Sequence, residues 1–121
     1  MPDRNRRKQA EKRGRRAESL AALALQIKGY RILARRVKTP VGEIDLIARR
    51  GSILAFIEVK QRAAIEAALH AVPEQAWRRI SRAAETWAAR HMNDENVSWR
   101  YDLMAIAPRR WPVHKRDYWR P

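Results

Sequence analysis

Gly42-Glu43-Ile44-Asp45-Leu46-Ile47-Ala48-Arg49 is followed, after Arg50-Gly51-Ser52, by Ile53-Leu54-Ala55-Phe56-Ile57-Glu58-Val59-Lys60, and the fold is read from these two stretches. Both are rich in aliphatic residues and a short Gly-containing turn divides them, so they form an antiparallel hairpin. A third β-leaning stretch, Tyr30 to Lys38, precedes them across Thr39-Pro40-Val41-Gly42 and extends the hairpin into a meander. Ile53 to Ile57 is apolar on both alternating faces, the mark of an interior strand covered on both sides.

The hairpin also holds the acids. Ala17 to Lys60 contains eight basic residues and four acids, Glu18, Glu43, Asp45 and Glu58, and three of the four lie in the two central strands. Period-two geometry places Glu43 with Asp45 on one face of their strand and Glu58 with Lys60 on one face of theirs. Register decides whether the two sets meet. If the numbers of paired residues add to an odd total, Asp45 and Glu58 share a face, opposite or diagonal to each other; an even total separates them. Two carboxylates brought together beside a buried strand repel and desolvate each other, so they need a proton, a cation or a lysine. Mg²⁺ suits such a pair, taking oxygen ligands at about 2.0–2.1 Å and keeping several waters. Lys60 is then placed to orient or help deprotonate an attacking water, or to stabilise charge on a transferring phosphoryl group. That outlines a phosphodiesterase site. The same spacing also describes a strand-end ion pair between Glu58 and Lys60 beside a surface acid at Asp45, because Glu-x-Lys alone has little specificity.

Upstream, a helix is predicted from about Arg15 to Lys28, with Gly29 as its stop. Leu20, Leu23, Ala24 and Ile27 form its expected core stripe, while Glu18 heads a second row of Ala21, Ala22 and Leu25 suited to close approach to another surface. Met1 to about Gly14 is densely charged and lacks apolar periodicity, so residues 1–14 are expected to be a flexible basic arm and 15–121 the folded domain. Its apolar neighbour, Leu20 to Leu25, is too short for a signal peptide's core, and no stretch approaches the ~20 residues of a membrane span.

Downstream, Pro73-Glu74-Gln75 opens a helix to about Arg90 with Pro at its first position. Trp77, Ile80, Ala84 and Trp87 make its buried stripe; Arg78, Arg79, Arg82 and Arg90 face elsewhere, for phosphate contact or simple solvation. Trp99 to Ala107 reads as a strand reached by a helical crossover, hence parallel to the third strand. Asp102 inside it is expected to be structural. Trp111 to Trp119 suits a final edge strand with packed Trp or a stacking platform for bases, with packing preferred. His70, His91 and His114 show no metal-ligand spacing.

The whole chain, 121 residues, fits one domain, and 45% hydrophobic residues are enough for a core. It has no Cys, which excludes disulfides, thiolate metal sites and cysteine nucleophiles and fits a cytoplasmic location. A net charge of +14 makes nucleic acid the expected partner.

The Gly42 to Arg49 and Phe56 to Arg62 motifs, together with Gly14 to Glu18, Gly29-Tyr30-Arg31-Ile32-Leu33, the Trp77 to Arg90 helix and Arg100-Tyr101-Asp102-Leu103, resemble the YraN family of small bacterial proteins. That family is similar to the PD-(D/E)XK nuclease superfamily, with Holliday-junction resolvases and restriction endonucleases as relatives. The resemblance implies a three-layer α/β/α domain with a central mixed sheet, restriction endonuclease-like, and a Mg²⁺- or Mn²⁺-dependent endonuclease acting on DNA, including branched DNA. By this resemblance Asp45 and Glu58 are metal ligands, Lys60 the water-orienting or charge-stabilising group, Glu18 an auxiliary ligand or base, and Glu43 and Gln75 auxiliary groups. Arg4, Arg6, Arg7, Lys8, Arg13, Arg15, Arg62, Arg78, Arg79 and Arg82 are the expected nucleic-acid contacts, and resolvase relatives suggest a homodimer. Fold does not guarantee chemistry, so a non-catalytic nucleic-acid-binding module and a basic protein-interaction scaffold stand as alternatives.

Overall fold

The computed structural model describes residues 2–94 and 96–121. Its elements are α1 (Pro2–Ile27), β1 (Arg31–Thr39), β2 (Gly42–Arg50), β3 (Ile53–Gln61), α2 (Ile65–Leu69), α3 (Glu74–His91), β4 (Ser98–Ile106) and β5 (Val113–Trp119). The five strands form one sheet in chain order, β1-β2-β3-β4-β5. β3 and β4 are parallel and the other neighbours antiparallel, so the expected meander, crossover and edge strand are all present in a mixed sheet.

Helices cover both faces. Against one face α1 lays Ala17, Ala21, Ala22, Ala24 and Leu25 on Leu46, Ala48, Ala55, Ile57, Met104 and Ile106. Against the other, α3 buries Trp77, Ile80, Ala83, Ala84, Trp87 and Ala88 with Ile47, Leu54, Phe56 and Leu103. Strands β3 and β4 supply alternate residues to both cores, which explains the uninterrupted apolar run of Ile53 to Ile57. The short α2 packs Ile65 and Ala68 on Ala105 and Ala107.

α1 departs from expectation in two ways. It begins at Pro2 instead of Arg15, so the basic stretch and the packed helix are one element; residues 4–16 are exposed along it, and Met1 lies outside the described residues. Its buried face is also shifted: of the expected stripe Ala24 is buried and Leu20 partly so, and the second row joins them. Leu23 and Ile27 are 47% and 67% exposed, whereas Ala21, Ala22 and Leu25 are fully buried. Both rows are apolar, and the small residues centre the contact because they let the helix axis come close to the sheet, leaving Leu23 and Ile27 at the rim. α3 differs by one residue: Pro73 occupies the N-cap and Glu74 the first turn.

Close approach recurs at the β1–β2 turn. Thr39 closes that turn by donating from Oγ1 to the Gly42 carbonyl, 2.7 Å away, and accepting from the Gly42 N–H at 3.1 Å. A Cβ on Gly42 would lie 2.9 Å from the Arg79 carbonyl oxygen, so a bare backbone is needed for the turn to lie against α3.

Candidate active site

The β2–β3 register carries the site. Leu46 faces Ile57 and Arg50 faces Ile53, an odd total throughout, so Asp45 and Glu58 occupy the next facing position. The ladder stops there, although β2 begins at Gly42 and β3 runs to Gln61. At the point of divergence the Asp45 carboxylate takes over the role of the ladder: its Oδ2 accepts from the Val59 N–H at 2.8 Å. One oxygen is thus tied to backbone, and the carboxylate is held beside Glu58. Lys60 follows on the same strand face, its Nζ 3.7 Å from Glu58 Oε1, inside ion-pair range but beyond a hydrogen bond.

The electrostatics match this geometry. The Glu58 side chain is only 14% exposed. Its pKa is pushed up to about 9, first by burial, then by the charge and hydrogen bonding of Asp45, with Lys60 pulling in the other direction. In the free protein Glu58 therefore holds a proton at neutral pH. Lys60 thus lies beside a desolvated carboxyl crowded by a second one, which distinguishes the contact from an ordinary surface ion pair.

Two hard carboxyl groups, one of them kept protonated by its burial and by the other's charge, form a donor set that fits Mg²⁺ or Mn²⁺ with the remaining positions taken by water and phosphate oxygen. Among the described residues no three His, Cys, Asp or Glu side chains converge into a metal cluster. Glu18 is accordingly not a third member of the pair: its Oε2 accepts from Arg36 Nε at 2.5 Å. Arg36 lies in β1 between residues paired with Leu46 and Ile44, hence at the position facing Asp45, and adopts a left-handed φ of 50°. Glu18 thus borders the site through an arginine. Glu43 is exposed at the start of β2, in register with Lys38. Gln75 is exposed on the first turn of α3 and shares a shallow groove with Arg78, Arg79 and Arg82. Arg62 is exposed two residues beyond Lys60, and Arg4, Arg6, Arg7, Lys8, Arg13 and Arg15 line the exposed half of α1.

Asp102 has the structural role expected of it. Fully buried, it accepts two hydrogen bonds from Arg100, one from His114 Nε2 at 2.7 Å and one from the Asp117 N–H at 2.9 Å. Desolvation pushes its pKa up, but the hydrogen bonds from His114, Arg100 and Asp117 outweigh this and hold it below its ordinary value. His114, for which spacing offered no partner, is buried here and bridges to Lys28 Nζ at 3.0 Å. This network lies on the α1 face, where the Tyr30 hydroxyl accepts a further hydrogen bond from Arg100. No periodic rule links Asp102 to His114; the reach across the irregular β4–β5 register does. A wide cleft lined by Trp99, Tyr101, Trp119 and Arg120 is at the opposite end of the sheet from Glu58.

The fold and this cluster define a small basic α/β domain with an Asp–Glu–Lys group at the carboxyl end of a central strand. Residues 17–106 match the uncharacterised protein family UPF0102, and the chain belongs to that family. It is 56% identical over 108 residues to a UPF0102 protein of Chelativorans sp., covering 89% of this chain and 87% of the relative. A Brucella canis UPF0102 protein is 55% identical over 102 residues (84% and 81%), and one from Parvibaculum lavamentivorans 50% over 108 residues (89% and 81%).

Proposed function

We propose that the protein is a divalent-metal-dependent endonuclease of the restriction endonuclease-like, PD-(D/E)XK type that hydrolyses phosphodiester bonds in DNA. The observation that carries this reading is the odd β2–β3 register, which brings Asp45 against Glu58 with Lys60 3.7 Å from the latter. The surrounding charge suits the substrate, since a chain of net charge +14 attracts a polyanion at long range.

A divalent ion bound between Asp45 and Glu58 would supply positive charge for a non-bridging phosphate oxygen and lower the pKa of a water. Glu58 must first give up the proton it holds, so its elevated pKa makes the site selective for strongly charged cations. Asp45, fixed to the Val59 N–H, sets the position of the second oxygen donor. Lys60 donates from Nζ to the attacking water or to an equatorial phosphate oxygen. The water oxygen forms a new bond to phosphorus as the bond to the leaving sugar oxygen breaks, and the proton that water loses passes to solvent. Arg36, held by Glu18, adds a cation beside the same phosphate.

The test is incubation of the purified protein with linear, flapped and four-way DNA, with and without Mg²⁺ or Mn²⁺. Cleavage that requires metal and disappears in both Glu58→Gln and Lys60→Ala supports the reading. Binding without cleavage of any substrate replaces it with a non-catalytic nucleic-acid-binding module, a reading favoured by the engagement of Glu18 with Arg36. Preference for four-way DNA together with a twofold solution mass would point to paired copies acting on the two arms of a junction.

A further inference from the structure

Four of the five tryptophans have a ring partner. Trp77 stacks on Trp119 at 6.0 Å and 8°, Trp87 stacks on His91 at 4.8 Å, and Trp99 meets Phe56 edge-on at 5.3 Å. Trp111 meets no other ring among the described residues and is 54% exposed. It stands in the β4–β5 turn after Pro108-Arg109-Arg110, where Arg109 holds a left-handed φ of 62°. A non-glycine residue in that region is uncommon and fixes the course of the turn.

An isolated exposed aromatic signifies little. Trp111, however, borders a cleft whose walls also include Arg16 from α1, Arg109 and Arg110 from the turn, and Gln61 from the end of β3. Among the described residues no acid pairs with any of these three arginines. Gln61 directly follows Lys60 at the same end of β3, and strand alternation turns it to the opposite, α1 face of the sheet, so the cleft and the carboxylates share one edge of the domain across the thickness of the sheet. An apolar plate sharing a cleft with three guanidinium groups that no acid pairs is complementary to a base with phosphates on either side.

We propose that this cleft holds an unpaired nucleobase stacked on the Trp111 indole, its flanking phosphates on Arg16, Arg109 and Arg110. A paired base has no free face to offer, so the favoured partner is single-stranded, flapped or otherwise unstacked DNA. The identity of the partner as nucleic acid rests on the nuclease reading; the stacking itself does not require hydrolysis.

The experiment measures binding of the full chain to short oligo-dT and to a blunt duplex of equal length, in EDTA, for wild type, Trp111→Ala and Trp111→Phe. Loss of one stacked base should weaken oligo-dT binding about tenfold in Trp111→Ala and duplex binding less than about twofold, with Trp111→Phe near wild type. Oligo-dT should quench wild-type tryptophan fluorescence, and Trp111→Phe should remove most of that quenching. Because the Trp111 ring is more than half exposed at a turn, circular dichroism should show both variants folded. A folded Trp111→Ala variant with unchanged oligo-dT affinity, or with equal losses on both probes, overturns the subsite. Cleavage is scored separately: a wild type that never cuts yet shows the Trp111-dependent preference keeps the subsite and loses the nuclease, and one that cuts through Glu58 without that preference does the reverse.

Discussion

At the level of single residues, two buried carboxylates respond to pH in opposite directions. Glu58 ionises at about 9 in the folded chain and in the ordinary carboxylate range when unfolded. Folding therefore takes up a proton, and its contribution to stability, complete at low pH, is lost as pH rises through that window toward about 9. Glu58→Gln removes the penalty: its Tm should exceed wild type at pH 8, by a margin that grows with pH, and match it at pH 4. A Tm difference of the same size at both pH values would mean that Glu58 ionises normally. Mn²⁺ should raise the wild-type Tm, more strongly as pH rises, and leave Glu58→Gln nearly unmoved. Asp102 has a lowered pKa, so its stabilisation is present above the ordinary carboxylate range and lost as pH falls below it. Asp102→Ala leaves Arg100 without its counter-charge and His114 without its carboxylate partner and should cost about 3–5 kcal/mol in urea unfolding, whereas Asp117→Ala at the surface should shift the urea midpoint far less. Asp45, Glu58 and Lys60 could be found by reading, because a three-residue turn and a period of two leave few registers to choose from. The Asp102–His114 pairing could not: a register shift between Tyr101 and Leu103 separates the two strands' periodicities.

Among elements, side-chain size decided what hydrophobicity alone left open. α1 has an apolar residue on nearly every side between Ala17 and Ile27, so periodicity pointed to Leu20, Leu23, Ala24 and Ile27, of which packing kept Ala24 and part of Leu20 and added Ala17, Ala21, Ala22 and Leu25. Ala22→Leu should overpack that seam and lower stability by about 1–3 kcal/mol, while Leu23→Ala should change it by less than about 0.5 kcal/mol; the urea midpoints distinguish them. The reverse order would restore the leucine stripe as the buried face. Gly42→Ala forces a Cβ against the Arg79 carbonyl and should destabilise by about 1–3 kcal/mol although it removes no side chain. The strands were legible to within a residue or two at their ends, because Gly and Pro punctuate them and their alternation persists. α2 was not, since five residues are too few to show a helical period.

For the molecule as a whole, charge is concentrated at one end. Residues 4–16 carry eight basic residues and one acid on a helix that extends about 20 Å past its last packed residue. Deletion of residues 2–14 should weaken DNA binding by a similar factor for every sequence and reduce the slope of log affinity against log salt, by about 0.9 for each duplex phosphate that the arm neutralises. An unchanged slope would assign phosphate neutralisation to α3 and the β4–β5 turn instead. The order of the sheet has a consequence of another kind, in time. Because neighbours in the sheet are neighbours in the chain, each strand meets a partner already synthesised as it leaves the ribosome, and no strand has to be inserted between two earlier ones. Asp45, Glu58 and Lys60 have all emerged by the end of β3, half a chain before β5 arrives to bury Asp102. The clustered acids are made early, and the network around Asp102 that ties β4 to β5 is made last.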